Sequence, residues 1–186
     1  MRKLFVLCLI IPASLLLSCQ NNGVTGQKDQ AGGQTDQVSQ YGNAGSQVDS
    51  DSQLRMLKGV VSEDPKNLRA WIDLGNAAMD SGRYKDAIDA YEAALKLDPK
   101  NVDVRVDMGT CYRNAGLSLK AVEEYRKALS INPNHAIAMR NLGVVLAYDL
   151  HKNKEAVAMF KEYLKESPSA PDAVAVGQEI AKFEGR

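Results

Sequence analysis

The feature that most limits the fold of this chain is a spacing. Leu74, Met108 and Leu142 stand 34 residues apart, as do Gly75, Gly109 and Gly143. Ala87, Ala121 and Ala156 follow at 34 and then 35, and so do Tyr91, Tyr125 and Phe160, and Pro99, Pro133 and Pro168. A period of this length means stacked copies of one supersecondary unit, each too small to bury its own apolar face. Within WIDLGNAAM and AIDAYEAAL the apolar residues recur at three and four, so each unit reads as two amphipathic helices. Gly75 and Ala87, with their counterparts, lack bulk where the two helices of a unit approach. Gly82 and Gly116 supply the turn between them, and each proline stops the second helix. Tyr91, Tyr125 and Phe160 are expected to fill the gaps between stacked units. The extra residue of the third unit is expected in the turn DLHKNK, because a surface loop tolerates an insertion that leaves both flanking registers intact.

The first unit supplies Trp71, Leu74, Gly75, Ala87, Tyr91, Ala94 and Pro99, and the second Met108, Gly109, Tyr112, Ala121, Tyr125, Ala128 and Pro133. The third keeps Leu142, Gly143, Ala156, Phe160 and Pro168, with Tyr163 where the others have alanine. In this register the chain resembles the tetratricopeptide repeat over about residues 68–169. The resemblance implies an all-α fold, an α-solenoid of three repeats at 68–101, 102–135 and 136–170. A stack of this kind needs covered ends. Residues 50–67 have the apolar spacing and closing Asp-Pro of a second helix without its first, and read as an N-terminal capping helix. Residues 171–186 read as a C-terminal capping helix with Asp172 at its start and Val174, Ile180 and Phe183 turned inward. Glu92 with Lys96, and Glu123 with Lys127, are i,i+4 pairs expected on a solvated outer face.

The same resemblance implies a concave groove lined by the first helix of each unit. Unit one offers Arg69, Ile72, Asp73, Asn76, Met79 and Asp80, and unit two Asp103, Val106, Asp107, Thr110, Arg113 and Asn114. Unit three offers Ile137, Arg140, Asn141, Val144, Ala147 and Tyr148, and Tyr148 is free at this point to face either the groove or the core. Such a face accepts an extended segment or a helix of a protein or peptide partner. Family members that capture a C-terminal carboxylate place lysine, arginine and asparagine at positions held here by Ile72, Asn76, Asp107, Ile137 and Asn141. Only Asn76 fits, and Asp107 would repel a carboxylate, so no such clamp is expected.

The start of the chain carries a different signal. Arg2 and Lys3 precede an apolar run from Leu4 to Leu17, too short for a membrane span and interrupted by Pro12, as in an export leader. Leu16-Leu17-Ser18-Cys19 resembles the lipobox of bacterial lipoproteins, which implies a leader of residues 1–18 and acylation of Cys19. With Gln20 rather than aspartate next, the resemblance implies attachment to the outer membrane facing the periplasm, or to the cell surface in a Gram-positive organism. Residues 19–49, rich in Gln, Gly, Asn and Ser, cannot bury enough surface to offset chain entropy and are expected to be a disordered tether. Thirty such residues span about 30 Å on average.

Without residues 1–18 the chain holds 21 basic and 23 acidic residues, which gives no electrostatic case for nucleic acid or for a basic grip on lipid beyond the anchor. Cys111 then stands alone as a small buried hydrophobe. There is no GxSxG, HExxH, GxxxxGK[ST] or GxGxxG. His135 and His151 fall in or beside turns without zinc spacing. No enzyme activity, metal or cofactor is expected. The functional expectation is a membrane-tethered adaptor that binds a protein or peptide in the periplasm and helps assemble an envelope complex, of secretin, pilus or cytochrome type. The alternative is a general periplasmic holdase. Partner and oligomeric state are open.

Overall fold

The start of each repeat is set by a side-chain cap. Asn67 and Asn101 accept hydrogen bonds from the backbone N–H of Ala70 and Val104 at 3.0 and 3.1 Å. His135, another 34 residues on, does the same through Nδ1, which accepts from Ala138 N–H at 3.1 Å. The first helices of the three units follow these caps: α2 at Leu68–Asp80, α4 at Val102–Asn114 and α6 at Ala136–Val144. Each pairs with a second helix, α3 at Tyr84–Leu97, α5 at Ser118–Ile131 and α7 at Asn153–Glu166. The ends are closed by Val38–Glu63 (α1) and Ala173–Glu184 (α8). The computed structural model describes the backbone of residues 38–185 and the side chains of residues 50–185. The leader, the lipobox, Cys19 and the first part of the tether lie outside the described residues. No strand occurs among the described residues.

Helices pack mainly on chain neighbours, α1 on α2, α2 on α3, α3 on α4, and so on to α7 on α8, with a smaller contact of α4 on α6. Two apolar cores result. Leu54, Leu57 and Val61 of α1 complete the first, and Val176 and Ile180 of α8 complete the second. Helix α4 belongs to both, sending Val104, Met108 and Cys111 into one and Val106 into the other.

The rings of Tyr91, Tyr125 and Phe160 lie against the glycines of their own units, not simply between units. A Cβ on Gly75 would sit 2.4 Å from the Tyr91 ring, one on Gly109 2.7 Å from Tyr125, and one on Gly143 2.6 Å from Phe160. Glycine at this level is what lets each ring become 0 to 2% exposed.

Three sequence expectations are corrected here. The tether was expected to reach Asp49, but α1 begins at Val38. Once Leu54, Leu57 and Val61 anchor a helix on α2, extending it backward requires no new nucleus, and that outweighs a poor composition. Val174 is 76% exposed and does not face inward; α8 buries Val176 and Ile180, with Phe183 partly buried, at spacings of four and three. The inserted residue of unit three is not in the turn. Gly82 and Gly116 hold the left-handed turn position at φ 70° and 77°, and in unit three that position belongs to His151 at φ 56°. Gly75 to Gly82 and Gly109 to Gly116 are seven residues, whereas Gly143 to His151 is eight. The extra residue is therefore absorbed inside the helix, as a π-helical turn at Val145–Asp149. Its backbone closes through Leu150 N–H donating to Val145 O at 3.0 Å and Lys152 N–H to Leu146 O at 2.7 Å.

Candidate functional site: the concave face

The groove residues proposed from the sequence sit on α2, α4, α6 and the π turn, and the structure sorts them by what already holds them. Val106 is 3% exposed and belongs to the core between units two and three, as does Ala147. Neither is open to a partner, because both side chains are buried in that core. Asn76 accepts a hydrogen bond from the Tyr91 hydroxyl at 2.7 Å, and Thr110 Oγ1 lies 3.0 Å from the Tyr125 hydroxyl. These two polar residues face the groove with one side and anchor a core ring with the other. Their replacement would perturb packing as well as binding.

The groove arginines are each matched within the chain. Arg69 pairs with Asp73 at 2.9 Å, in an exposed i,i+4 contact. Arg113 makes a two-pronged contact with Asp149, Nε to Oδ2 at 2.8 Å and Nη2 to Oδ1 at 3.2 Å, and Ser118 Oγ donates to the same carboxylate at 3.3 Å. The π turn is what brings Asp149 to this spot. Arg140 pairs with Asp172, whose other oxygen accepts from the Tyr163 hydroxyl. That explains Tyr163 in place of alanine: its ring is buried and its hydroxyl ties unit three to the start of α8. Tyr148 turns toward α8 as well, with its hydroxyl on Glu179 and its ring edge-on to Phe183 at 6.0 Å. The C-terminal cap thus covers the third-unit end of the groove, a set of contacts that no local sequence signal announces.

What remains open is acidic and apolar. Among the described residues no cation lies within ion-pair distance of Asp80 or Asp107. Burial holds the Asp107 carboxyl above the usual range; Asp103 and Asp80 add to this, and His135 opposes it. That mutual influence places residues from α2, α4 and the start of α6 around one stretch of surface. His135 Nε2 lies 3.0 Å from Asp103 Oδ1. Because Nδ1 is occupied as an acceptor, Nε2 carries the proton and donates. Ile137 is 58% exposed, and Ile72 and Val144 are partly so. Asn114 is exposed, and Met79 and Asn141 are half-buried.

Cys111 beneath this face is fully buried, and burial followed by Asp107 pushes its thiol up to about 12, which suits a packing role. No group of three or more His, Cys, Asp or Glu residues among those described could hold a metal ion. No described helix is long and apolar enough to cross a membrane.

The fold is shared with solved structures. MamA superposes with a TM-score of 0.68 at 23% identity, covering 82% of this chain and 85% of that one. The TPR domain of Arabidopsis OM64 gives 0.58 at 23% identity over 62% and 94% of the two chains. The first TPR of Spaghetti (RPAP3), bound to the HSP90 peptide SRMEEVD, gives 0.59 at 22% identity over 66% and 94%. No curated protein matches by sequence. The tetratricopeptide-repeat family model matches residues 54–102, 72–136 and 106–171, and with the register and helix pairing above, this chain belongs to the tetratricopeptide-repeat family.

Proposed function

We propose that this protein is a lipid-anchored adaptor, held at the periplasmic face of the outer membrane through Cys19, that binds a protein or peptide segment on its concave face during assembly of an envelope complex. The observation that carries the binding reading is the imbalance on that face. Arg69, Arg113 and Arg140 are paired with intrachain carboxylates, while among the described residues Asp80 and Asp107 have no ion-pair partner, and Ile72 of α2 and Ile137 of α6 leave apolar surface open. Such a surface suits a segment that brings its own lysine or arginine beside apolar side chains. It suits an acidic C-terminal tail poorly. The structure bound to SRMEEVD is consistent with peptide binding by this fold, and its acidic ligand is not expected here.

The reading is tested by fractionation and cross-linked pull-down from the native envelope. Wild type should sediment with outer membrane and retain one dominant partner. Cys19→Ser should shift it to the soluble fraction. Ile137→Asp with Asp80→Lys should keep the anchor and lose the partner. A broad set of clients, indifferent to the groove changes, would instead indicate a holdase.

A further inference from the structure

The turns between the two helices of each unit recur along the chain, and in unit two the turn adjoins the groove through Asp149, which lines the cleft beside Leu117 and pairs with Arg113. Aligned on Gly82, Gly116 and His151, the next residue is Arg83, Leu117 or Lys152, and the third is Lys85, Leu119 or Lys154. Units one and three thus place two cations at these exposed sites. Unit two places two leucines there, 45% and 73% exposed. Neither completes a core: the buried apolar surface of α5 is formed by Ala121, Val122, Tyr125 and Ala128.

Leu119 and Leu150 stand between two adjoining clefts of about 460 and 380 Å³. Leu146 and Val122 floor the larger one, and Leu117 borders the smaller. Leu146 and Leu150 flank or belong to the π turn, so the insertion in unit three shapes this surface. Its rim has cations in excess of their local partners. The clefts are lined by Lys120, Arg126, Lys127 and Lys152 against Glu123 and Asp149. Lys127 pairs with Glu123, Asp149 is held by Arg113, Arg126 and Lys152 share Glu155, and Lys120 Nζ, 5.3 Å over the Tyr112 ring, has no carboxylate within 4 Å among the described residues.

We infer that this edge is a second docking surface, adjoining the concave face at the Arg113–Asp149 pair but distinct from its acidic part, and that it takes an acidic amphipathic segment of a partner protein. Leucines of the segment would enter the clefts beside Leu119 and Leu150, and its carboxylates would meet Lys120 and Lys152. The two faces then select opposite charge, so one protein bridges two different segments without competition.

The test uses the full-length protein with Cys19→Ser, uniformly ¹⁵N-labelled, titrated with two synthetic amphipathic peptides that share one leucine pattern, one with glutamate and one with lysine at all polar positions. The glutamate peptide should shift the amides of Leu117, Leu119 and Leu150. Leu117→Arg with Leu119→Lys, the residue types of the neighbouring units at surface positions that leave the core intact, should weaken it at least about tenfold. Equal binding of both peptides, or no shift at this edge, would overturn the inference. So would self-association lost in the double variant, which would assign the edge to a second copy. Flotation with phosphatidylethanolamine/phosphatidylglycerol vesicles lost in the double variant would assign it to the membrane surface, with the same effect.

Discussion

Adding one methyl group at two glycines separates intrinsic helix preference from packing. Gly59 in α1 has nothing within 4 Å of where a Cβ would lie, so Gly59→Ala changes only backbone entropy and should stabilise by about 0.5–1 kcal/mol. Gly109→Ala gains the same amount but meets Tyr125 Cε1 at 2.7 Å and Cδ1 at 2.9 Å. The ring cannot easily yield, since it is 1% exposed and its hydroxyl is held 3.0 Å from Thr110. Overpacking of this kind costs about 1–3 kcal/mol. The net expectation is a loss of about 0–2.5 kcal/mol, or a fall in Tm of up to about 10 °C at about 4 °C per kcal/mol. Urea and thermal melts by circular dichroism measure both variants, and Gly109→Ala/Tyr125→Leu should recover part of the loss. If Gly109→Ala is as stable as Gly59→Ala, the ring-on-glycine contact is not what fixes the spacing of the two helices in a unit.

Arg105 and Glu124 occupy the repeat positions of Trp71 and Ala90, and form a largely buried pair at 3.0 Å. Arg105→Met should cost about 3 kcal/mol in a urea melt by leaving Glu124 with Lys127 alone, whereas Arg105→Trp/Glu124→Ala, copying unit one, should recover most of it. His151→Gly should raise stability by about 1 kcal/mol, because only glycine takes φ 56° without strain; an unchanged or lower Tm would count against the alignment that places the insertion in the helix. Asp107→Asn should stabilise at pH 7. The folded-state pKa of Asp107 lies above its unfolded value, so the folded protein holds the proton more tightly and stability is lost as pH rises through the carboxylate range. The gain should therefore vanish in acid melts below the ordinary carboxylate value of 3.8.

The repeat was legible because its marks are steric requirements that recur at a fixed period: a bare glycine under a ring, a small residue at a crossing, a proline after each second helix. The insertion was mislocated because its flanking marks, Gly143 and Ala156, bracket both the helix end and the turn. The turn position itself was disguised, with His151 standing where glycine stands in the other units. Extending the Gly82 and Gly116 register by 34 lands on Leu150, one residue short of His151. Val174 is one of two valines two residues apart at the start of α8, and only Val176 is in phase with Ile180 and Phe183. The capping role of His135 could have been found from its register with Asn67 and Asn101.

The groove was the least legible part. Its candidate residues came from repeat position alone, which cannot tell Val106, packed in a core, from Ile137, open to solvent. Nor could it show that Arg113 and Arg140 are neutralised by Asp149 and Asp172, 36 and 32 residues away. Those pairings depend on the π turn and on the placement of α8, and they change the groove from mixed in charge to acidic.

The most direct test of the central claim is photocrosslinking in the native envelope from a single probe at Ile137 or Ile72, compared with the same probe at Lys96 on the exposed side of α3. The account predicts one dominant adduct from the two groove positions and none from Lys96. A similar spread of weak adducts from all three positions would contradict it.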